Sequence, residues 1–147
     1  VPGMVEALEE RALKGGAPFL GICVGMQLLA TVGREFGDTD GLDWIAGEVV
    51  KLEPDDGALK VPHMGWNELS FGDHPLFAGL EPGAHAYFVH SYQFRPRQPD
   101  ERLAHVAYGG VVTAAVGRDN IAGVQFHPEK SQATGLRLIA NFLNWAP

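Results

Sequence analysis

Apolar positions recur at helical spacing at both ends of the chain and gather into short runs between them. Over Pro2–Lys14, Met4, Val5, Leu8, Ala12 and Leu13 fall near one face, which predicts an amphipathic helix ended by Gly15-Gly16. A run of strand length follows, Ala17 to Ile22; beyond Cys23, Val24 to Ala30 predicts a second helix. A strand running straight into a helix is the unit of a parallel α/β sheet. The middle differs. Ile45–Leu52, Glu68–Phe71, Ala86–Phe94, Leu103–Tyr108, Val111–Val116 and Ile121–Phe126 are short, β-rich and separated by Gly, Pro or Asp, and Gly109-Gly110 signals a hairpin. The last stretch, Ser131–Trp145, returns to helical spacing through Leu136, Ile139 and Leu143, with Ser131 placed to cap it.

No repeat or linker divides the chain, so residues 1–147 read as one domain. Only one strand–helix passage precedes the β-rich middle, and the chain opens inside a helix. The expectation is therefore an N-terminally shortened piece of a larger domain.

Composition narrows the class. No apolar run nears the roughly 20 residues that span a bilayer, and the first residues lack the basic start and apolar block of a signal peptide, so no membrane role is expected. A net charge of −7 without a basic cluster argues against nucleic-acid binding. The single cysteine forbids an internal disulfide and fits a reducing compartment, which points to the cytoplasm. A lone cysteine is either a buried small hydrophobe or a reactive thiol, and its surroundings decide.

Gly21-Ile22-Cys23-Val24-Gly25 has the Gly-x-nucleophile-x-Gly form of a nucleophile elbow. A nucleophile at a sharp strand-to-helix turn needs flanking residues without Cβ atoms that would collide. The helix that follows points its N-terminus at the sulfur and favours thiolate, while the Val24 N–H is left to donate to an oxyanion. The other reading is a tight turn with the thiol buried in it. A nucleophilic thiol also wants a base. Among six histidines, His127 ends a predicted strand and precedes Pro128-Glu129. Proline holds the preceding residue extended, and positions i and i+2 of an extended chain face the same way, so Glu129 can reach the imidazole. An exposed His-Pro-Glu turn without chemistry is the alternative. His85 and His90 should face opposite sides of a strand, and His63, His74 and His105 lack ligand spacing, so neither metal nor cofactor is expected.

These residues together resemble class I, triad-type glutamine amidotransferases: Gly21 to Gln27 is similar to their nucleophile motif, and Phe126-His127-Pro128-Glu129 to their His/Glu motif. Pro62-His63-Met64-Gly65-Trp66-Asn67, Tyr87 to Tyr92 and Phe126 to Ser131 are similar to the glutaminase subunit of imidazole glycerol phosphate synthase, and the likeness runs from about Pro2 to the C-terminus. The resemblance implies a flavodoxin-like α/β domain, a mixed and mainly parallel sheet flanked by helices, with its first strands missing here. It implies that Cys23, His127 and Glu129 form a catalytic triad, and that Val24, Gln27, Ser91 and Tyr92 bind glutamine. Pro62, His63, Met64, Trp66, Asn67, Tyr87 and Lys130 would face a (β/α)8-barrel synthase subunit in a heterodimer. Ammonia passed to that subunit would serve histidine biosynthesis, yielding imidazole glycerol phosphate and an aminoimidazole carboxamide ribotide.

Three rivals stay open. The glutaminase could serve a synthase of anthranilate, guanylate, cytidine triphosphate or carbamoyl phosphate, although Pro62–Asn67 and His90–Tyr92 speak against these. A related hydrolase or stress protein would carry His directly after the nucleophile, where Val24 stands. A shortened chain could also be an inactive docking piece, lacking the Pro-Gly-rich oxyanion segment that family members carry upstream.

Overall fold

Two strands with almost no polar residue set the centre of the main sheet. β10 (Val111–Arg118) is buried at every position but its ends, and β11 (Ile121–Val124) is buried throughout. Such continuous apolar runs belong to strands covered on both faces. The computed structural model describes residues 2–147; Val1, the first residue of the domain span read from the sequence, lies outside them. β11 pairs antiparallel with β10 and parallel with β1 (Phe19–Ile22), in a register that sets Ile22 opposite Val124. β9 (Arg102–Ala107) and β6 (Ser70–Phe71) complete the order β1-β11-β10-β9-β6. The β9–β10 hairpin turns at Gly109-Gly110, both at positive φ, as the dipeptide predicts.

A second sheet has the order β3-β2-β4-β8, built from Thr39–Asp40, Val32–Gly33, Gly47–Lys51 and Tyr92–Pro96. β5 (His63–Glu68) and β7 (His85–His90) form a separate pair. The sheets are mixed and flanked by helices, as expected. Mainly parallel pairing is not found among the described residues, where β1–β11 and β2–β4 are parallel and the other pairs antiparallel. Part of the reason is local: β2–β3, β9–β10 and β10–β11 are joined by short turns, and a parallel neighbour needs a crossover of a dozen residues or more.

Four further expectations are corrected. The run Ala86–Phe94 is not one strand: it breaks at Ser91, β7 staying with β5 while β8 crosses to β4. The helix after Cys23 is short, α2 covering only Val24–Gln27. The first helix is α1 (Met4–Leu8), which widens into π-type turns over Glu9–Lys14; only Ala12 of its apolar stripe is buried, while Met4, Val5 and Leu13 are exposed. In the last helix, α3 (Gln132–Leu143), the inward residues are Gly135 and Leu138 rather than Leu136 and Leu143, which face solvent. A Cβ on Gly135 would meet the Pro128 carbonyl oxygen, so α3 lies hard against the His127-Pro128-Glu129 turn.

Two apolar clusters fill the interior. One joins Phe88, Phe126, Val106, Val124 and Leu138; the other joins Met26, Leu29, Ile45, Phe94 and Val116 beneath α2. At roughly 1.5–3 kcal/mol for each large side chain fully buried, these clusters anchor β1, β11 and α2, and hence the elbow between them. Among the described residues, no helix is long and apolar enough to cross a membrane.

Candidate active site

The elbow stands at the carboxyl end of β1. Cys23 has φ 52° and ψ −110°, a left-handed φ that costs a non-glycine residue about 1–3 kcal/mol. Its N–H donates to the Val124 carbonyl at 2.8 Å, and its own carbonyl accepts from Met26 at 3.0 Å and Gln27 at 3.3 Å. The two flanking glycines do different work. A Cβ on Gly21 would lie 2.4 Å from the Gly25 carbonyl oxygen, whereas one on Gly25 would meet nothing within 4 Å. The collision expected on both sides of Cys23 therefore arises only at Gly21.

Helix polarity does not set the thiol. Burial of the half-buried Cys23 raises its pKa, against the lowering effects of the Val24 N–H and the Gln125 side chain. Glu129 raises it further and Lys130 lowers it, and the net shift is upward. A four-residue helix carries too few aligned peptides to reverse a desolvation cost.

His127 follows β11, so the parallel register with β1 brings it to the same sheet end as Cys23. Its Nδ1 lies 2.7 Å from Glu129 Oε1. That approach is made through a 3-10 turn over Pro128–Lys130 and not along an extended strand. The carboxylate only accepts, so Nδ1 carries the proton and Nε2 is left as the basic nitrogen. Burial alone would raise the Glu129 carboxyl. Its own backbone amide, the His127 hydrogen bond and the charges of His127 and Lys130 outweigh that and hold it below the usual range. Among the described residues no hydrogen bond joins His127 to Cys23 directly.

The His127 backbone is clamped. Its N–H donates to the Tyr87 carbonyl at 3.0 Å, and its carbonyl accepts from Ser131 Oγ at 2.7 Å, which in turn accepts from the Tyr87 N–H at 3.0 Å. Ser131 thus stands at the cap position of α3 without capping it; its hydroxyl is spent on joining β7 to His127.

A cavity of about 350 Å³ opens beside the sulfur, lined by Cys23, Val24, Gln27, Glu35, Pro62, Val89, His90, Ser91 and Tyr92. It gathers the four residues expected to bind glutamine. Gln27 Nε2 donates to the Tyr92 carbonyl at 3.2 Å and to Gln125 Oε1 at 3.0 Å, and Gln125 Nε2 donates to Cys23 Sγ at 3.8 Å. Gln125 is wholly buried, and sequence reasoning missed it along with His90 and the bridging role of Ser131. A polar residue inside the apolar run Ile121–Phe126 was the available signal, because a buried amide needs partners.

The residues expected to face a partner divide into two sets. Met64 (62% exposed) and Trp66 (48%) share the outer face of β5, with Tyr87 6.0 Å from Trp66 across the ladder and Lys130 Nζ 6.0 Å from the Tyr87 ring. Pro62 is exposed at the cavity rim. His63 corrects the expectation: it is 3% exposed and turned inward. Asn67 faces the same inner side, hydrogen-bonded to His63. Alternation along β5 explains the division, since residues 63, 65 and 67 point away from 64 and 66. No group of three or more His, Cys, Asp or Glu among the described residues could hold a metal ion.

Comparison with known proteins agrees with this geometry. Residues 1–145 match the family described as glutamine amidotransferase class-I. The imidazole glycerol phosphate synthase subunit HisH of Rhodospirillum rubrum is 64% identical over 149 residues, covering 100% of this chain and 70% of the relative. That of Ruegeria pomeroyi is 63% identical, covering 98% and 66%. The chain thus spans about two thirds of the length of these relatives. Among solved structures, a candidate GMP synthase subunit of Thermoplasma acidophilum superposes with a TM-score of 0.66 at 24% identity, over 95% of this chain and 62% of that one. A glutamine amidotransferase of Thermotoga maritima gives 0.62 at 22%, over 95% and 52%. At such identities these two show the shared fold. The chain belongs to the class I glutamine amidotransferase family.

Proposed function

We propose that the chain is the glutaminase part of an imidazole glycerol phosphate synthase: it hydrolyses the side-chain amide of glutamine to glutamate and ammonia, for use in histidine biosynthesis. The observation that carries the reading is the cavity holding Cys23 at a strained elbow, with Ser91 and Tyr92 across from it and the His127–Glu129 pair at the same sheet end. Relatives named as part of that synthase, at 56–64% identity, supply the pathway.

The chemistry follows from the protonation states. The Cys23 thiol is raised by burial, so it keeps its proton until a base takes it. His127 Nε2 is that base, with its Nδ1–H held by Glu129, which stabilises the imidazolium. The sulfur attacks the amide carbon, the Val24 N–H receives the developing oxyanion, and the imidazolium delivers its proton to the departing ammonia. Water, deprotonated by the same imidazole, then cleaves the thioester to glutamate and restores the thiol. Gln27, Ser91 and Tyr92 hold the α-amino and carboxylate ends of the substrate.

The partner in this reading is a (β/α)8-barrel synthase subunit, docked on Met64, Trp66, Tyr87 and Lys130 beside the cavity rim at Pro62. The heterodimer works in the cytoplasm. In the full-length protein, diazo-oxo-norleucine, a glutamine-mimicking electrophile, labels Cys23, and Cys23→Ser abolishes the labelling. Label that persists in the variant overturns the nucleophile. Glutaminase turnover rises sharply when the barrel protein is added together with its ligand; no rise points to another synthase.

A further inference from the structure

We infer that Asn67, His63 and His90 are positioning residues, a fixed hydrogen-bond relay that locks the Ser91–Tyr92 backbone in the wall of the glutamine cavity. The inference rests on the glutaminase reading and goes beyond the triad and the substrate contacts.

The relay has one direction. His90 Nδ1 lies 2.7 Å from the Tyr92 carbonyl oxygen, which only accepts, so Nδ1 carries the hydrogen. His90 Nε2 is then an acceptor, and His63 Nδ1, 3.0 Å away, donates to it. His63 Nε2 is in turn an acceptor, met by Asn67 Nδ2 at 3.2 Å. The orientation of the Asn67 amide is fixed independently: Nδ2 also donates to the Ala107 carbonyl at 3.0 Å, and Oδ1 accepts the Glu68 N–H at 2.8 Å. One backbone carbonyl thus determines the tautomer of both imidazoles, and each is neutral. Burial lowers the pKa of both rings, and for His63 the neighbouring His90 lowers it further.

The rings are held as firmly as the hydrogen bonds. His63 stacks on Phe88 at 4.8 Å and lies against Tyr108 at 4.1 Å, whose hydroxyl donates to the Lys60 carbonyl. His63 and His90 are 3% and 6% exposed, so both residues are buried, His90 at the edge of the cavity. Two buried imidazoles in series cost desolvation, which a purely apolar pair would avoid.

Their position shows what they accomplish. At Ser91 the chain leaves one ladder, β5–β7, and enters another, β4–β8. The Tyr92 carbonyl at this crossing accepts from His90 on one side and from Gln27 on the other, and Gln27 continues through Gln125 to the Cys23 sulfur. A shift of this carbonyl moves the substrate wall and Gln27 together.

The test uses the full-length protein in complex with its synthase partner, and two electrophiles that separate substrate positioning from thiol reactivity. Diazo-oxo-norleucine carries the α-amino and carboxylate groups of glutamine; iodoacetamide carries neither. His63→Leu fills the site without hydrogen bonds, whereas His63→Asn keeps a donor near the Nδ1 position. The expected result for His63→Leu is a glutamine KM raised about tenfold or more and diazo-oxo-norleucine labelling slowed to match, with iodoacetamide alkylation of Cys23 changed less than about threefold. His63→Asn recovers most of the loss. Equal slowing of both reagents, or a His63→Leu protein with unchanged KM, overturns the inference. Should His63→Leu fail to fold, Asn67→Leu, which leaves both rings in place, decides: it must raise KM without slowing iodoacetamide. Wild-type protein that diazo-oxo-norleucine does not label would instead refute the glutaminase reading itself.

Discussion

Replacing Gly21 by alanine puts a methyl group where the elbow has no room for one. The added carbon would lie 2.4 Å from the Gly25 carbonyl oxygen, 2.6 Å from its carbon and 2.8 Å from the Met26 nitrogen. All three are backbone atoms, so no rotamer change relieves the contact. Restoring an ordinary separation of about 3.4 Å moves β1 and α2 apart by about 1 Å. Both sides resist: β1 is laddered to β11, and α2 is pinned by fully buried Met26. Overpacking of this kind costs about 1–3 kcal/mol, and two rigid walls place Gly21→Ala at about 3 kcal/mol. At about 2–4 °C per kcal/mol for a chain of this size, the melting point falls by roughly 6–12 °C. Because Cys23 is the sole hinge between the two elements, a displacement of about 1 Å also slows its labelling by up to about 100-fold. Gly25→Ala is the control. Its methyl group meets nothing within 4 Å, and alanine's helix propensity offsets any small cost by up to about 1 kcal/mol. Urea unfolding of both variants in the full-length protein checks the argument. A Gly21→Ala protein within about 0.5 kcal/mol of wild type, or equal losses from the two variants, refutes it.

Strain at the elbow predicts that Cys23→Gly is more stable than Cys23→Ala by about 1 kcal/mol, since both lose the thiol and only glycine takes φ 52° freely; equal urea midpoints would show the backbone to be relaxed. Ser131→Ala leaves the Tyr87 N–H without its acceptor, at a cost of about 1–3 kcal/mol, and loosens the His127 backbone, so glutaminase kcat falls with it. His63, pushed down to about 4 by burial and by His90, stays neutral in the folded protein while the unfolded chain protonates near 6.5. The unfolded state then binds the extra proton, so stability is lost as pH falls from about 6.5 towards 4, by about 2–3 kcal/mol from this group. Unfolding curves at pH 4.5 and 6.5 for wild type and His63→Asn measure it, and equal pH slopes for the two proteins would count against the neutral imidazole.

Much of the candidate site was legible because its signals are local. The Gly-x-Cys-x-Gly stretch reports a strained turn at Cys23, and His127-Pro128-Glu129 keeps base and acid two residues apart, close enough for a 3-10 turn to join them. Continuous apolar runs also located β10 and β11, and the Gly109-Gly110 pair located the β9–β10 hairpin, since both signals act within a few residues.

What was not legible depends on meetings between distant segments. The resemblance set His63 on the partner face together with Met64 and Trp66, yet β5 pairs with β7 in a register that turns it onto His90, 27 residues away. The break at Ser91 left no local mark within an apolar run; it arises because one half of that run finds β5 and the other finds β4. Gln125 directly follows β11, and only the packing of α2 over β11 shows that its amide reaches the Cys23 sulfur. The protonation of the thiol also waited for the fold. The sequence by itself marked the residues proposed to carry the chemistry, because a nucleophile, base and acid are signalled by residue type and short spacing. The tertiary structure alone decided what holds them and how they titrate, because burial and hydrogen bonding between β5, β7, β11 and α2 exist only once those elements are packed together.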